Sequence, residues 1–66
     1  MELFVKVKVL NDNYKNDNVK KNDIGYILEN YNDGNYEVQF WDESTYPPVS
    51  LAIISVNEND IEEVEK

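Results

Sequence analysis

Residues 24–41 read I-G-Y-I-L-E-N-Y-N-D-G-N-Y-E-V-Q-F-W, and the fold turns on how this stretch is read. Asp33-Gly34 separates two runs rich in β-branched and aromatic residues. Glycine accepts the positive φ that a tight turn requires, so Asp-Gly between such runs is a strong hairpin signal. The arms are predicted strands over 24–31 and 36–41. Gly25, near the start of the first arm, points to a bulge or a close approach of backbone. Two registers fit. A two-residue loop sets Ile27 opposite Phe40, whereas a three-residue loop with a bulge sets Leu28 opposite Val38. The second gives the cleaner pattern, with Leu28, Val38 and Phe40 inside, Gln39 outside and Glu29 against Glu37. Successive side chains on a strand point to opposite faces. With Phe40 inside, Trp41, the only tryptophan in the chain, therefore looks outward in either register.

Working outward from the hairpin, residues 3–10, L-F-V-K-V-K-V-L, alternate in period two. Leu3, Val5, Val7 and Val9 share one face, and Lys6 and Lys8 lie on the other, which predicts a half-buried strand. Residues 11–23 are dominated by Asn, Asp and Lys without periodicity and read as a long loop, functional or mobile. Residues 42–48 form a polar loop closing on Pro47-Pro48, which cannot lie in a central strand. Residues 49–56, V-S-L-A-I-I-S-V, are almost wholly apolar and read as the most buried strand. Asn59-Asp60 opens a single helical turn, and Ile61 and Val64 anchor a short last element near 60–64. No helix of ordinary length and no internal repeat is found. The expectation is an all-β single domain over 1–66, a small, strongly bent five-stranded barrel of SH3-like type; an open four-stranded meander is the alternative.

Sixty-six residues bury only about 60% of their unfolded surface, and the stability of such a core is about 3–5 kcal/mol. Neither Cys nor His is present, so disulfides and the usual structural zinc sites are excluded. Fourteen acidic residues face six basic ones, all lysine, for a net charge of −8. Nucleic-acid binders show the reverse balance, with arginine prominent, and repulsion opposes anionic membranes. Such a field attracts a basic protein. The beginning of the sequence, M-E-L-F-V-K-V-K, fits neither a signal peptide nor a membrane span. A cytoplasmic location is the expectation.

Enzyme chemistry finds little support. The commonest general base and the best nucleophile are missing, and Ser44, Ser50 and Ser55 have no base near them in sequence. The carboxylate pairs Asp42-Glu43 and Glu62-Glu63 read as solvated acids, since a barrel of this size has no deep pocket to shift them. The run N-D-N-Y-K-N-D-N lacks the spacing and the later Glu of a calcium loop, and Lys15 falls at a ligand position. Neither a metal nor another cofactor is expected. What remains is aromatic. Trp and Tyr are enriched at protein interfaces. Trp41 and Tyr46, with Asp42 and Glu43 between them and Glu37 and Gln39 nearby, make a candidate partner-binding patch with an acidic rim.

The stretch N-D-I-G-Y-I-L-E-N-Y-N-D-G-N-Y-E-V-Q-F-W-D-E resembles a family of short bacterial proteins of unknown function. That family's pattern is G-D-x-G-x-V-x-E-x-Y-x-x-G-x-Y-x-V-E-F-x-D. The later L-A-I-I-S-V-N-E-N-D-I resembles the family's closing strand, so the likeness spans roughly residues 3–64. Asn22 stands where the pattern has Gly, and Glu43-Ser44-Thr45 lacks the Gly common in that turn. The resemblance implies an SH3-like barrel without established catalytic residues. It also implies an immunity or antitoxin role, because such proteins are often found among toxin–immunity genes. The same core is similar to ribosome-associated KOW-type barrels, which bind RNA or translation factors and are typically basic. The leading expectation is thus a non-catalytic inhibitor that occludes a basic toxin such as a nuclease. A KOW-like module and a structural or self-associating domain are the alternatives.

Overall fold

The computed structural model describes residues 1–64. Five antiparallel strands form one sheet: β1 (Lys6–Val9), β2 (Ile24–Asn30), β3 (Asn35–Asp42), β4 (Val49–Asn57) and β5 (Ile61–Glu63). Their order across the sheet is β4-β3-β2-β1-β5. The protein is therefore all-β, as the alternating patterns require. No ladder joins β4 to β5 among the described residues, so the sheet stays open where a closed barrel would continue.

The hairpin combines the expected turn with a register the sequence did not anticipate. Around the turn, Asn30 faces Tyr36 and Glu29 faces Glu37, and the Tyr31 N–H donates to the Asn35 carbonyl at 3.2 Å. This is the three-residue loop, with Gly34 at φ 89° and Asn32 at φ 61°. Asp33 Oδ1 accepts from the Asn35 N–H at 3.0 Å, the local side-chain bond for which Asp is favoured in turns. Beyond Glu29 the register shifts by one residue. Leu28 is the extra residue, Ile27 lies opposite Val38 and Gly25 opposite Phe40. Ile27, not Leu28, thus fills the core, where it is wholly buried. A bulge moves a single residue out of the alternation and returns its neighbour to the inner face, so Leu28 ends half-buried.

Gly25 is a site of close approach. A Cβ there would lie 2.6 Å from Val38 Cγ1, 2.8 Å from Phe40 Cδ1 and 2.9 Å from the Gln39 carbonyl oxygen. With no side chain at Gly25, the Phe40 ring lies over the β2 backbone. Phe40 is the largest of the fully buried side chains, packed with Val7, Val9, Ile27, Val38 and Val56. Burying a ring of this size contributes on the order of 2–3 kcal/mol.

Three further expectations need correction. Leu3 does not join the face of Val7 and Val9. The backbone turns at Phe4 (φ 65°), β1 begins only at Lys6, and Leu3 remains exposed. Strand β4 is not the most buried strand. It lies at the edge of the sheet, so Val49 and Ile53 are each 54% exposed and Val56 alone is fully covered. Residues 11–23 are not a featureless loop. They contain a 3-10 turn, Lys15–Asp17, and they deliver Val19 into the core with no exposure.

A polar cluster holds that loop down. Asp60 accepts from Asn11 Nδ2 at 2.8 Å, from Asn13 Nδ2 at 3.3 Å and from the Tyr14 hydroxyl at 2.7 Å. The Tyr14 oxygen in turn accepts the Asn57 backbone N–H at 2.9 Å. Three donors on one carboxylate stabilise its charged form. Asp60 is accordingly held below its ordinary pKa, chiefly by Tyr14 and then by Asn11. Tyr14 is raised, first by burial and then by its bond to Asp60. A helical turn is present, but Asn59-Asp60 close it and do not open it: it runs Glu58–Asp60 with Asn57 as its side-chain cap. Ile61 anchors β5 in the core.

Candidate functional site

The residues singled out from the sequence fall on one strand and the loop after it. On β3, Tyr36, Val38 and Phe40 are buried, which leaves Glu37, Gln39 and Trp41 on the opposite face. Register extends this face across the sheet. Trp41 lies between Ile24 of β2 and Ser50 of β4, and Gln39 between Tyr26 and Ile53. Continuing to β1, Lys8 faces Ile24 and Lys6 faces Tyr26. The outer face is therefore an apolar band of Ile24, Tyr26, Trp41 and Ile53, flanked by the two lysines of β1.

Trp41 is half-buried. With Tyr26, Pro48 and Glu43 it lines an open groove of about 270 Å³. Beside the groove, β4 carries an extra residue, Leu51, between the Phe40–Ala52 and Trp41–Ser50 pairs. Such a bulge increases local twist, and Pro48, the residue before β4, lies against the Trp41 side of the sheet. Tyr46 does not join this groove. It projects from the loop at 90% exposure. Tyr26 and Pro48 are the groove residues that sequence reasoning missed. Finding Tyr26 required the Leu28 bulge, which sets the face of everything before it on β2.

Each carboxylate of the expected acidic rim has a partner within the chain. Asp42 Oδ1 accepts the Ser44 N–H at 2.9 Å and the Ser44 hydroxyl. These bonds, the hydroxyl's first, hold its carboxyl below the ordinary carboxylate range. Glu43 Oε1 is 3.7 Å from Lys6 Nζ, across the groove. Glu37 Oε2 accepts the Tyr31 hydroxyl at 2.6 Å, and this bond raises the Tyr31 phenol. Gln39 Nε2 reaches Ser50 Oγ at 3.5 Å, a weak contact that leaves the amide free to turn toward a ligand.

Chemically, the face is suited to contact. The Asp42 carboxyl, next to Trp41 on this strand, is displaced downward. A general acid requires the opposite shift. No group of three or more potential metal ligands is found among the described residues. No helix among them is long and apolar enough to cross a membrane. Comparison with protein-family models, with curated proteins and with solved structures found no match for this chain.

Proposed function

We propose that this chain is a non-catalytic binding module that docks on a basic protein through the outer face of the sheet at Trp41. The proposed role is that of an immunity or antitoxin protein occluding a toxin such as a nuclease. The observation that carries the reading is the groove itself, in which the single tryptophan lies half-open beside Tyr26 and Pro48 on a chain of net charge −8. An aromatic anchor in an apolar recess with polar surroundings has the anatomy of a binding hot spot. Because Asp42, Glu43 and Glu37 already have partners, attraction of a basic protein comes from the summed field of the molecule. Steering of this kind acts on the rate of encounter and fades as salt screens it.

The test is quantitative. A basic protein retained from source cells by immobilised wild type is purified and titrated calorimetrically against wild type and Trp41→Ala. The expected loss is about 2 kcal/mol or more, which is roughly a thirtyfold rise in Kd, with an unchanged circular dichroism spectrum for the variant. Equal affinity for wild type and Trp41→Ala would remove Trp41 as the anchor. An on-rate independent of ionic strength would remove the steering.

A further inference from the structure

The two edges of the sheet are built differently. Strand β5 is three residues long and carries Glu62 and Glu63. Short length and charge are the ordinary protections of an edge. Strand β4, at the other edge, is nine residues long. Its sequence V-S-L-A-I-I-S-V-N contains no charge and no proline, and among the described residues its second side pairs with no strand. Its ladder with β3 is unbroken from Ala52 to Asn57, because the Leu51 bulge lies before that run. Ile53, on the outer face, is 54% exposed at the middle of the strand.

We propose that the free edge of β4 is a self-docking surface, on which a second copy of this chain pairs antiparallel about a two-fold axis at Ile54. The uncharged run Ala52–Val56, regular in its ladder and centred on Ile54, favours this partner and this register. Residues directly opposite in an antiparallel pair share a face, so a self-pairing that matches inner to inner must place its axis at a residue and not between two. With the axis at Ile54, Ile54 meets Ile54, Ala52 meets Val56 of the second copy and Ile53 meets Ser55. Glu58 then lies opposite Ser50, so no carboxylate faces another across the seam despite the net charge of each copy. The inner residues of β4 and β3 then continue from one copy into the other, and the two outer faces become one surface bearing two copies of Trp41.

The seam is a strip about 20 Å long and about 10 Å thick. That is smaller than the roughly 1,200 Å² of a standard stable interface, so the dimer is weak and forms in concentrated protein. Its salt dependence has a defined sign. Two chains of charge −8 repel, and screening relieves the repulsion, so self-association strengthens as salt rises. Docking on a basic protein weakens under the same change. The two interactions are therefore distinguishable, and neither rests on the other.

Sedimentation velocity of the whole chain at rising protein concentration, in low and high salt, provides the test. Wild type is expected to move from monomer toward dimer with concentration, and further in high salt. Ile53→Lys and Ser55→Lys, both at exposed outer-face positions, are expected to stay monomeric while keeping the wild-type circular dichroism spectrum. Backbone amides within 52–56 should gain hydrogen-exchange protection as wild type is concentrated. A wild type that is monomeric at every concentration and salt overturns the proposal. So does a dimer that both lysine variants preserve, or protection that arises on another strand.

Discussion

Replacing Gly25 with alanine sets the close packing of β2 against β3 in opposition to chain entropy. Gly25 is in the extended region, where alanine meets no backbone strain. By chain entropy alone the substitution would stabilise by about 0.4–1 kcal/mol. Sterics oppose it. The new methyl would lie 2.6 Å from Val38 Cγ1 and 2.8 Å from Phe40 Cδ1, and also 2.9 Å from the Gln39 carbonyl oxygen. The side chains can rotate away at some loss of packing. The carbonyl is held in the β-ladder and cannot. Overpacking of this kind costs about 1–3 kcal/mol, and the fixed oxygen places Gly25→Ala toward the upper end. The net loss is about 2 kcal/mol from a total of about 3–5 kcal/mol. With a urea slope near 1 kcal/mol/M for so small a domain, the midpoint should fall by about 2 M. Trp41 is the only tryptophan and reports the transition by fluorescence. A midpoint equal to or above that of wild type would refute the packing argument, since entropy would then be the larger effect.

Other substitutions probe the remaining contacts. Gly34→Ala meets only ordinary van der Waals contact, with Glu58 Cδ and Oε1 at 3.9 Å, but it forces alanine to φ 89°. Its loss should be about 1 kcal/mol by denaturant titration, with Gly34→Asn milder. Val19→Ala should destabilise by about 2 kcal/mol, whereas Tyr46→Ala, at 90% exposure, should leave the midpoint within about 0.5 kcal/mol. Tyr14→Phe removes both the donor to Asp60 and the acceptor of the Asn57 N–H, and should lose about 1–3 kcal/mol. Because Asp60 has a lowered pKa in the folded state, its contribution is full above the unfolded carboxylate value and is lost as pH falls through the folded one. The raised Tyr14 phenol acts in the opposite sense, stabilising below about pH 10 and losing that contribution as pH rises further. Asp60→Asn should therefore flatten the acid limb of a stability–pH profile and also shrink the alkaline decline, because part of the Tyr14 shift comes from Asp60. A mobility-shift titration with total RNA is expected to show no complex at moderate salt, as a net charge of −8 implies.

Four strands were legible from residues alone, from period-two alternation, an apolar run and the Asp33-Gly34 turn, all local signals, whereas β5 was foreseen only as a short last element near 60–64. The face of Trp41 was legible for the same reason, since Phe40 beside it is a core residue by type. What periodicity cannot show is which strand lies at an edge. The apolar run 49–56 looks like a central strand, yet its exposure follows from having a neighbour on one side only. The Leu28 bulge was hidden as well. It resolves a conflict between the register set by the turn and the need to put Gly25 beneath Phe40, and those two demands meet only once the strands are paired. Tyr26, one of the two groove residues that went unnoticed, inherits its face from that bulge. Val19 was the sole apolar residue of its loop between Tyr14 and Ile24, a signal that was present and passed over. Asp60 gave no local sign of its role. Its donors lie 46 to 49 residues away in sequence.

That separation sets an order of events for a chain made from one end. Asn11, Asn13 and Tyr14 are synthesised some tens of residues before Asp60 exists. Until then the loop they belong to has neither its carboxylate nor the Asn57 N–H to bind. The β2–β3 hairpin, whose contacts are local, can close in the meantime. A chain truncated before residue 57 should thus offer residues 11–19 to a protease even when its hairpin is formed, whereas the full chain should protect them. The Asp60 carboxylate acts, in effect, as the signal that synthesis of this fold has reached its last strand.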